Sequence, residues 1–522
     1  MTASEWLVEG LRERGVRWIA TLCGHGLDPL YHAAKKGGLR LVDTRNEQTA
    51  SYIAETCGRL TGQPGVVAVS SGVAHANAMT GVVDAHFDGA PMLLISGAGD
   101  FPTSGMGHFQ DVDQVALAAP VTKFARAIDC PERTLEILDT AWKSACSAPP
   151  GPVHLSFPLD VQVAEVAAER MVRLVDDGSS AAAVGSDIDG VASALAAAER
   201  PLVVAGSGAH YAGEGEALLA FCEEFAIPVV VPIWDRGPVD RVSDVFLGVI
   251  GAASGGPRLL ADADVIVMAG AVADYRVGFL QRGAVSGEAS VVRLDRGWGS
   301  LAGGYRARQG KSHAQWLGEA NRRKGAFRAK VEAAAARQAS RGLHAIDVLE
   351  ALRESLIDDA VLALDGGSIG QWAHQLLCDR YPGHWLTCGR SGVVGWGLGG
   401  AMGARLVYPD RPVILLSGDG AFTFAPAEIE CAVRQRLPFV AIVADDQAWG
   451  ITRTGHEAKF GEAISSSLGP LDFVKMAEAF GARGVKAVTP DAIRQAVSTG
   501  LASREVTVIH VPIVGGNPQV GP

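Results

Sequence analysis

No stretch of this chain is apolar for long enough to span a membrane. Basic excess is missing as well: 57 acidic residues face 46 basic ones, and the net charge of -11 argues against a nucleic-acid-binding surface. The opening MTASEWLVEGLRERG lacks the basic and apolar regions of a signal peptide. Ser4 reads instead as the N-cap of a helix carrying Trp6, Leu7 and Leu11. The 8 cysteines are scattered without CxxC spacing, which excludes a disulfide framework and makes a reducing cytoplasm the natural compartment. Short-period repeats and long low-complexity segments are absent. So is a convincing G-x-G-x-x-G with a downstream acidic residue, which disfavours a nucleotide-binding dehydrogenase.

What remains is a chain of 522 residues, 48% of them apolar, enough for roughly three domains with buried cores. Short β-branched runs alternate with Ala-rich amphipathic stretches in three blocks. Residues 1–168 hold VVAVS and MLLIS; residues 185–330 hold PLVVAGSG, IPVVVP and DVIVMAG; residues 345–522 hold AVLALDGG, VILLSGDG, FVAIVADD and VTVIHVP. A polar stretch around 176–187 separates the first two blocks, and the basic, Ala-rich NRRKGAFRAKVEAAAARQ leads out of the second. The expectation is an α/β protein of three doubly wound, mostly parallel sheets.

The most informative stretch is LLSGDGAFTFAPAEIECAVRQRLPFVAIVADDQAWG. It reads as strand, glycine-bracketed aspartate, helix, strand and a second pair of aspartates. Pro426 suits the helix's first turn, and Ile429, Ala432 and Val433 share a face. In a parallel βαβ unit both loops open at the carboxyl edge of the sheet, so Asp419 and Asp446 would converge there. Two hard oxygen ligands beside small-residue amides suit a Mg²⁺-diphosphate. Taken alone, Gly-Asp-Gly is equally an ordinary turn at a sheet edge.

That pattern resembles the diphosphate motif of thiamine diphosphate (ThDP) enzymes. Further likeness to the acetolactate synthase and pyruvate oxidase branch, with benzaldehyde lyase and benzoylformate decarboxylase, runs along essentially the whole chain. It is carried by DTRNEQTASYIAETCGRLTG (43–62), HFQDVDQV (108–115), GVVGWGLGGAMGA (392–404) and QAWG. The resemblance implies a pyrimidine-binding, a central and a diphosphate-binding domain, in that order. It also implies that Asp419, Asp446 and the Ala448 carbonyl hold Mg²⁺. The family's doublet is Asn-Asn where this chain has Asp445-Asp446, so an extra negative charge would sit beside the diphosphate and weaken the cofactor or sharpen the metal requirement.

Other roles follow from the same likeness. Glu47 matches the glutamate that bonds the aminopyrimidine nitrogen, and a buried carboxyl there would have a raised pKa. A surface glutamate favoured at a helix start is the bland alternative. Val394 would sit beneath the cofactor's bend, with the Gly392 carbonyl against its pyrimidine; relatives often carry a bulkier wedge. Amides around Gly420, Ala421, Trp449, Gly450 and Ile451 would receive the diphosphate, with the Ser368 hydroxyl beside them. Gln110 matches a glutamine that reaches the reacting centre, though it is equally a surface residue. His25, Gly26, Ser70, Ser71, His75 and Gly370 stand at substrate-pocket positions. Gly26, Ser70 and Gly370 lack the polar groups of relatives, and His75 is unusual, entering the pocket or capping a helix.

The resulting expectation is a ThDP- and Mg²⁺-dependent enzyme that makes or breaks a bond next to a carbonyl, an acetolactate synthase-like carboligase. Its substrates would be 2-oxo acids, aldehydes or hydroxyketones. A 2-oxo acid decarboxylase, a hydroxyketone lyase or a 2-hydroxyacyl lyase is the alternative, and a catalytically inactive ThDP-fold binding protein is the reading from another class. GSGAHYAGEG and AGAVADYR in the central block leave FAD open without making it the expectation. Family geometry implies a homodimer or a dimer of dimers.

Overall fold

A computed structural model describes residues 1–173, 187–235, 237–239, 241–251, 259–339, 342–357, 359–377 and 384–516. Among them the strands form three sheets in which every pairing is parallel. The expected interblock stretch at 176–187 lies outside the described residues except for Asp187, whose carboxylate caps the helix Ile188–Ala197 by accepting from the Gly190 amide.

The first sheet contains β1 (Trp18–Leu22), β2 (Arg40–Asp43), β3 (Gly65–Val69), β4 (Met92–Ala98), β5 (Phe124–Ala127) and β6 (Pro152–Pro158), in the order β2-β1-β3-β4-β6-β5. The second has β7 (Pro201–Ala205), β8 (Val229–Pro232), β9 (Phe246–Ile250), β10 (Val265–Ala269) and β11 (Ser290–Arg293), ordered β11-β10-β7-β8-β9. The third has β12 (Val361–Leu364), β13 (His384–Thr387), β14 (Val413–Gly418), β15 (Val440–Asp445), β16 (Arg483–Lys486) and β17 (Thr507–Pro512), ordered β13-β12-β14-β15-β17-β16. Central strands such as β3, β7, β10 and β15 are buried along their whole length, which explains why they read as unbroken apolar runs rather than as alternating ones.

The winding of the three sheets switches sides between β1 and β3, β7 and β10, and β12 and β14; in the first and third it also turns back at the far edge, where β5 and β16 lie outside β6 and β17. Loops diverge at such switch points and leave a crevice outside the carboxyl ends of the strands.

The chain divides into two compact units. One holds residues 1–182 together with 389–410 and 425–437; the other holds 183–388, 411–424 and 438–522. Two helices of the third block therefore pack with the first sheet. Gly397–Val407 lies against Glu47–Thr61 so closely that a Cβ on Gly399 would fall 2.7 Å from Tyr52 Cβ. A Cβ on Gly403 would fall 2.8 Å from the Ile53 carbonyl oxygen, so the Gly-rich run buys an approach that larger residues forbid.

Some local expectations are corrected. Thr2, not Ser4, caps the first helix, in a reciprocal box with Glu5; the Ser4 hydroxyl donates to the Gln162 carbonyl instead. Pro426 lies in the turn before the helix Glu428–Gln435 rather than in its first turn. The basic, Ala-rich segment is helical, within Ala314–Ala339.

Candidate active site

At the switch point of the third sheet, the loops after β12 and β14 touch through glycine. The Gly418 amide donates to the Gly366 carbonyl, and a Cβ on Gly367 would lie 2.9 Å from Gly418 Cα. Gly367 has φ 126°, a conformation that favours glycine. Asp419 follows at once, 5% exposed. Burial pushes its carboxyl up to about 7, with the charges of Asp446 and Asp445 adding to the effect. Asp446 is likewise pushed up to about 6, chiefly by burial. Asp445 is held low against burial by a 2.8 Å bond with His510 Nε2. Asp419, buried, and Asp446, half-buried, thus lie close enough for the charge of the second to act on the first.

Beyond β15, Gln447 takes φ 53°, and its amide donates to Asp445 Oδ1. That turn leads through Ala448 and Trp449 into the helix Gly450–Phe460. A Cβ on Gly420 would lie 2.6 Å from the Trp449 ring, which accounts for the second glycine of GDG. Ser368 begins the helix Ser368–Leu376; its hydroxyl is buried and has no hydrogen-bond partner among the described residues. Gly370 is buried in that same helix, where a would-be Cβ would lie 3.3 Å from the Asp365 carbonyl oxygen. Ala421 is buried and Ile451 exposed.

This arrangement fits a Mg²⁺-diphosphate. An orphan hydroxyl and a side-chain-free Gly450 sit at the start of a helix, and two crowded carboxylates would both stay ionised beside a divalent cation. Among the described residues no group of three or more His, Cys, Asp or Glu is placed to hold a metal. The remaining oxygens would come from a carbonyl and from the diphosphate itself.

At the switch point of the first sheet, the loops after β1 and β3 meet. The Ser70 hydroxyl donates to the His25 carbonyl, and the Ser71 hydroxyl donates to Gln110 Oε1 at 3.0 Å. Gly26 (φ 112°) keeps the space beside both serines open: its would-be Cβ lies 3.5 Å from Ser71 Oγ and 3.6 Å from Ser70 Oγ. Gln110 itself has φ 59°, a strained conformation of the kind that concentrates at functional sites. His25, Gly26, Ser70, Ser71 and Gln110 are therefore brought together.

His75 is neither a cap nor a pocket wall. It is fully buried within the helix Val73–Asp88, whose N-cap is Gly72. Ser96 Oγ lies 2.7 Å from His75 Nδ1 and 3.1 Å from His154 Nε2. Burial pushes His75 down to about 4 and His154 well below its usual value. Having one proton, the Ser96 hydroxyl donates to one neutral ring and accepts from the other. Gln114 makes a second support: its Oε1 accepts from the Gly72 amide and its Nε2 donates to the Gly97 carbonyl. His154, Ser96 and Gln114 went unnoticed in the sequence because a polar residue inside an apolar strand, or at the end of HFQDVDQV, has no local signature.

Glu47 is the first residue of the helix Glu47–Thr61, capped by Asn46. The preceding turn is fixed by Glu428, whose carboxylate oxygens both lie 3.0 Å from the Arg45 amide. Glu47 Oε2 accepts from Asn77 Nδ2 at 3.0 Å. The side chain is only half-buried within its own unit, so the expected burial is not reached there. Gly392 is exposed and Val394 half-buried, on a loop packed against this same unit.

The switch point of the second sheet is closed. The Gly206 and Gly208 amides donate to the Ala269 and Gly270 carbonyls, and the Gly270 amide donates to Asp295 Oδ1. The Ser207 amide lies 3.3 Å from Asp235 Oδ2, and Asp235 is itself paired with the buried Arg276 at 2.7 Å. No helix among the described residues is long and apolar enough to cross a membrane.

Three family models match: the thiamine pyrophosphate enzyme N-terminal TPP binding domain over residues 1–117, the central domain over 188–306, and the C-terminal TPP binding domain over 365–511. The chain is 30% identical to the acetolactate synthase large subunit IlvG of Mycobacterium tuberculosis, across 98% of this chain and 95% of that protein. It is 31% identical to human 2-hydroxyacyl-CoA lyase 2, across 91% and 83%. Acetolactate synthase isozyme 2 large subunit of Escherichia coli is 28% identical, across 98% and 96%. The chain belongs to the thiamine pyrophosphate enzymes, with that family's N-terminal, central and C-terminal domains in order.

Proposed function

We propose that this protein is a ThDP- and Mg²⁺-dependent carboligase acting on small 2-oxo acids, of the acetolactate synthase kind. The single observation that carries the reading is the crevice between β12 and β14, where Asp419, Asp446, Gly450 and the orphan Ser368 hydroxyl converge. Thiamine diphosphate, when bound, supplies the electron sink that takes up the bonding pair released beside a carbonyl. Asp419, Asp446 and the Ala448 carbonyl hold the metal; Ser368 and the amides at Gly420, Ala421, Gly450 and Ile451 hold the diphosphate. Glu47 holds a proton at the pyrimidine nitrogen. Gly392 and Val394 support the bend. Gln110, oriented through Ser71, places its amide group at the substrate carbonyl.

With pyruvate as both donor and acceptor, the carboxylate carbon of the donor leaves as CO₂. A new carbon–carbon bond forms to the acceptor carbonyl, whose oxygen takes up one proton. Gly26 leaves space beside the Ser70 and Ser71 hydroxyls, which supports a short polar substrate. No FAD is assigned; the Gly206, Ser207, Gly208 and Gly270 amides at the second sheet's switch point already donate to carbonyls and carboxylates. The catalytically inactive alternative is disfavoured by the joint presence of Glu47 and the metal pair.

A 2-hydroxyacyl-CoA lyase activity is the second reading, favoured by the similarity to the human protein of that name. Incubating Mg²⁺- and ThDP-loaded protein with ¹³C-pyruvate, and separately with a 2-hydroxyacyl-CoA, separates the two by NMR. Acetolactate from pyruvate supports the carboligase. Aldehyde and a shortened acyl-CoA, with pyruvate untouched, would replace it by the lyase.

A further inference from the structure

The loop 389–396 carries Gly392 and Val394, yet three of its residues are glycines in the left-handed region: Gly389 (φ 77°), Gly392 (φ 68°) and Gly395 (φ 85°). Such a loop loses much freedom on ordering and needs external ties to keep one shape. Those ties come from three buried acids on the helices Glu47–Thr61 and Val73–Asp88. Glu55 and Asp84 are 0% exposed and Asp88 is 5% exposed.

Each acid reaches the loop, and Asp88 does so twice, since Arg390 Nε also lies 3.8 Å from its Oδ1. The Arg390 amide donates to Asp88 Oδ1 at 2.8 Å, the Ser391 hydroxyl to Asp84 Oδ1 at 2.5 Å, and Trp396 Nε1 to Glu55 Oε2 at 3.1 Å. The Val393 amide in turn donates to Ser391 Oγ at 3.2 Å, so Asp84 is coupled to the residue beside Val394. Gly389 permits the approach, since a Cβ there would lie 2.2 Å from Asp88 Oδ2.

A helix-gluing ion cluster is the bland explanation. Arg59 does bridge Glu55 and Asp88 at 3.4 Å each, and its guanidinium lies 5.6 Å from the Trp396 ring. Asp84 feels the Arg59 charge too, but Arg59 pairs closely with Glu55 and Asp88 rather than with it. The one hydrogen bond of Asp84 goes to the loop, and its other oxygen has no hydrogen-bond partner among the described residues. A buried carboxyl kept at such cost needs a local use.

We propose that Asp84, with Asp88 and Glu55, is a positioning residue that locks the 389–396 loop into the shape in which Gly392 and Val394 receive the bent cofactor. The inference rests on the reading of Gly392 and Val394 given above. Burial, then the neighbouring Glu55 and Asp88, pushes the Asp84 carboxyl well above its usual range, so asparagine is its nearest neutral substitute.

The test compares wild type with Ser391→Ala, Asp84→Ala and Asp84→Asn by amide hydrogen exchange across 390–396 and by ThDP titration of tryptophan fluorescence in saturating Mg²⁺. Losing one such bond in Ser391→Ala or Asp84→Ala should speed loop exchange and weaken ThDP about tenfold, while Asp84→Asn stays within about twofold. Ser391→Ala leaves the buried cluster intact, so it serves should Asp84→Ala not fold. Unchanged loop exchange in Ser391→Ala overturns the proposal. Wild type that binds no ThDP would sink the reading beneath it, while the exchange data still decide whether the acids hold the loop.

Discussion

Asp446 Oδ2 lies so close to Gly450 that a Cβ on the glycine would come within 2.5 Å of it, and within 2.2 Å of Ser368 Oγ. Position 450 starts a helix with ordinary backbone angles, so alanine there is not resisted by strain. It would instead push aside the two groups assigned to the metal and diphosphate. Gly450→Ala should weaken ThDP binding by about tenfold or more while leaving the thermal midpoint within a few degrees of wild type. Calorimetric ThDP titration alongside a melting curve checks this.

The Asp-Asp doublet makes an opposite prediction. Asp446→Asn removes a half-buried negative charge beside Asp419 and beside the proposed diphosphate position. ThDP affinity at limiting Mg²⁺ should rise, by about tenfold for a charge pair at moderate effective dielectric. Asp446→Ala, which removes the ligand as well, should lower it. A titration of cofactor at several Mg²⁺ concentrations distinguishes the two variants.

Acid sensitivity follows from the two histidines around Ser96. His75 is pushed down to about 4 by burial, against about 6.5 unfolded. The neutral ring is therefore favoured in the fold. Its contribution is fully present above pH 6.5 and is lost as the pH falls toward 4, because the unfolded chain takes up the proton first. His75→Ala should lower the melting temperature at pH 7 by opening a cavity next to His154. It should also flatten the decline between pH 6.5 and 4. Melting curves of both proteins across that window give the comparison.

Glu47 and Gln110 should separate binding from turnover. Glu47→Gln is expected to lower kcat by about a hundredfold or more, the range for a lost proton-transfer group, with ThDP binding largely kept. Gln110→Ala should raise KM for the 2-oxo acid with ThDP affinity unchanged. Steady-state kinetics on the product assay, paired with cofactor titration, tests both. An effect of Gln110→Ala on ThDP affinity alone would count against its substrate role.

Most of the fold was legible because buried parallel strands announce themselves as unbroken β-branched runs, as at β3, β7 and β15. The Asp419–Asp446 convergence was legible too, since parallel strands joined by a helix must place both loops on one sheet edge. The grouping of Gly26, Ser70, Ser71 and Gln110 was readable only through family likeness. What stayed hidden depends on partners distant in sequence. His75 looks like a pocket residue until Ser96 and His154 are found behind it. Asp84 and Asp88 look like surface polar residues until they are found buried against Arg390 and Ser391 of a loop about 300 residues away in sequence. The seats of helix starts were misread at Ser4 and Pro426 because neighbouring residues, Thr2 and the turn at 425–427, serve the same chemistry equally well.

The most direct test of the central claim is calorimetric titration of the wild-type chain with ThDP, with and without Mg²⁺, set beside Asp419→Ala. The account predicts saturable binding that requires the metal and is lost in the variant. Equal binding with and without metal, undisturbed by Asp419→Ala, would contradict the assignment of the β12–β14 crevice as the cofactor site.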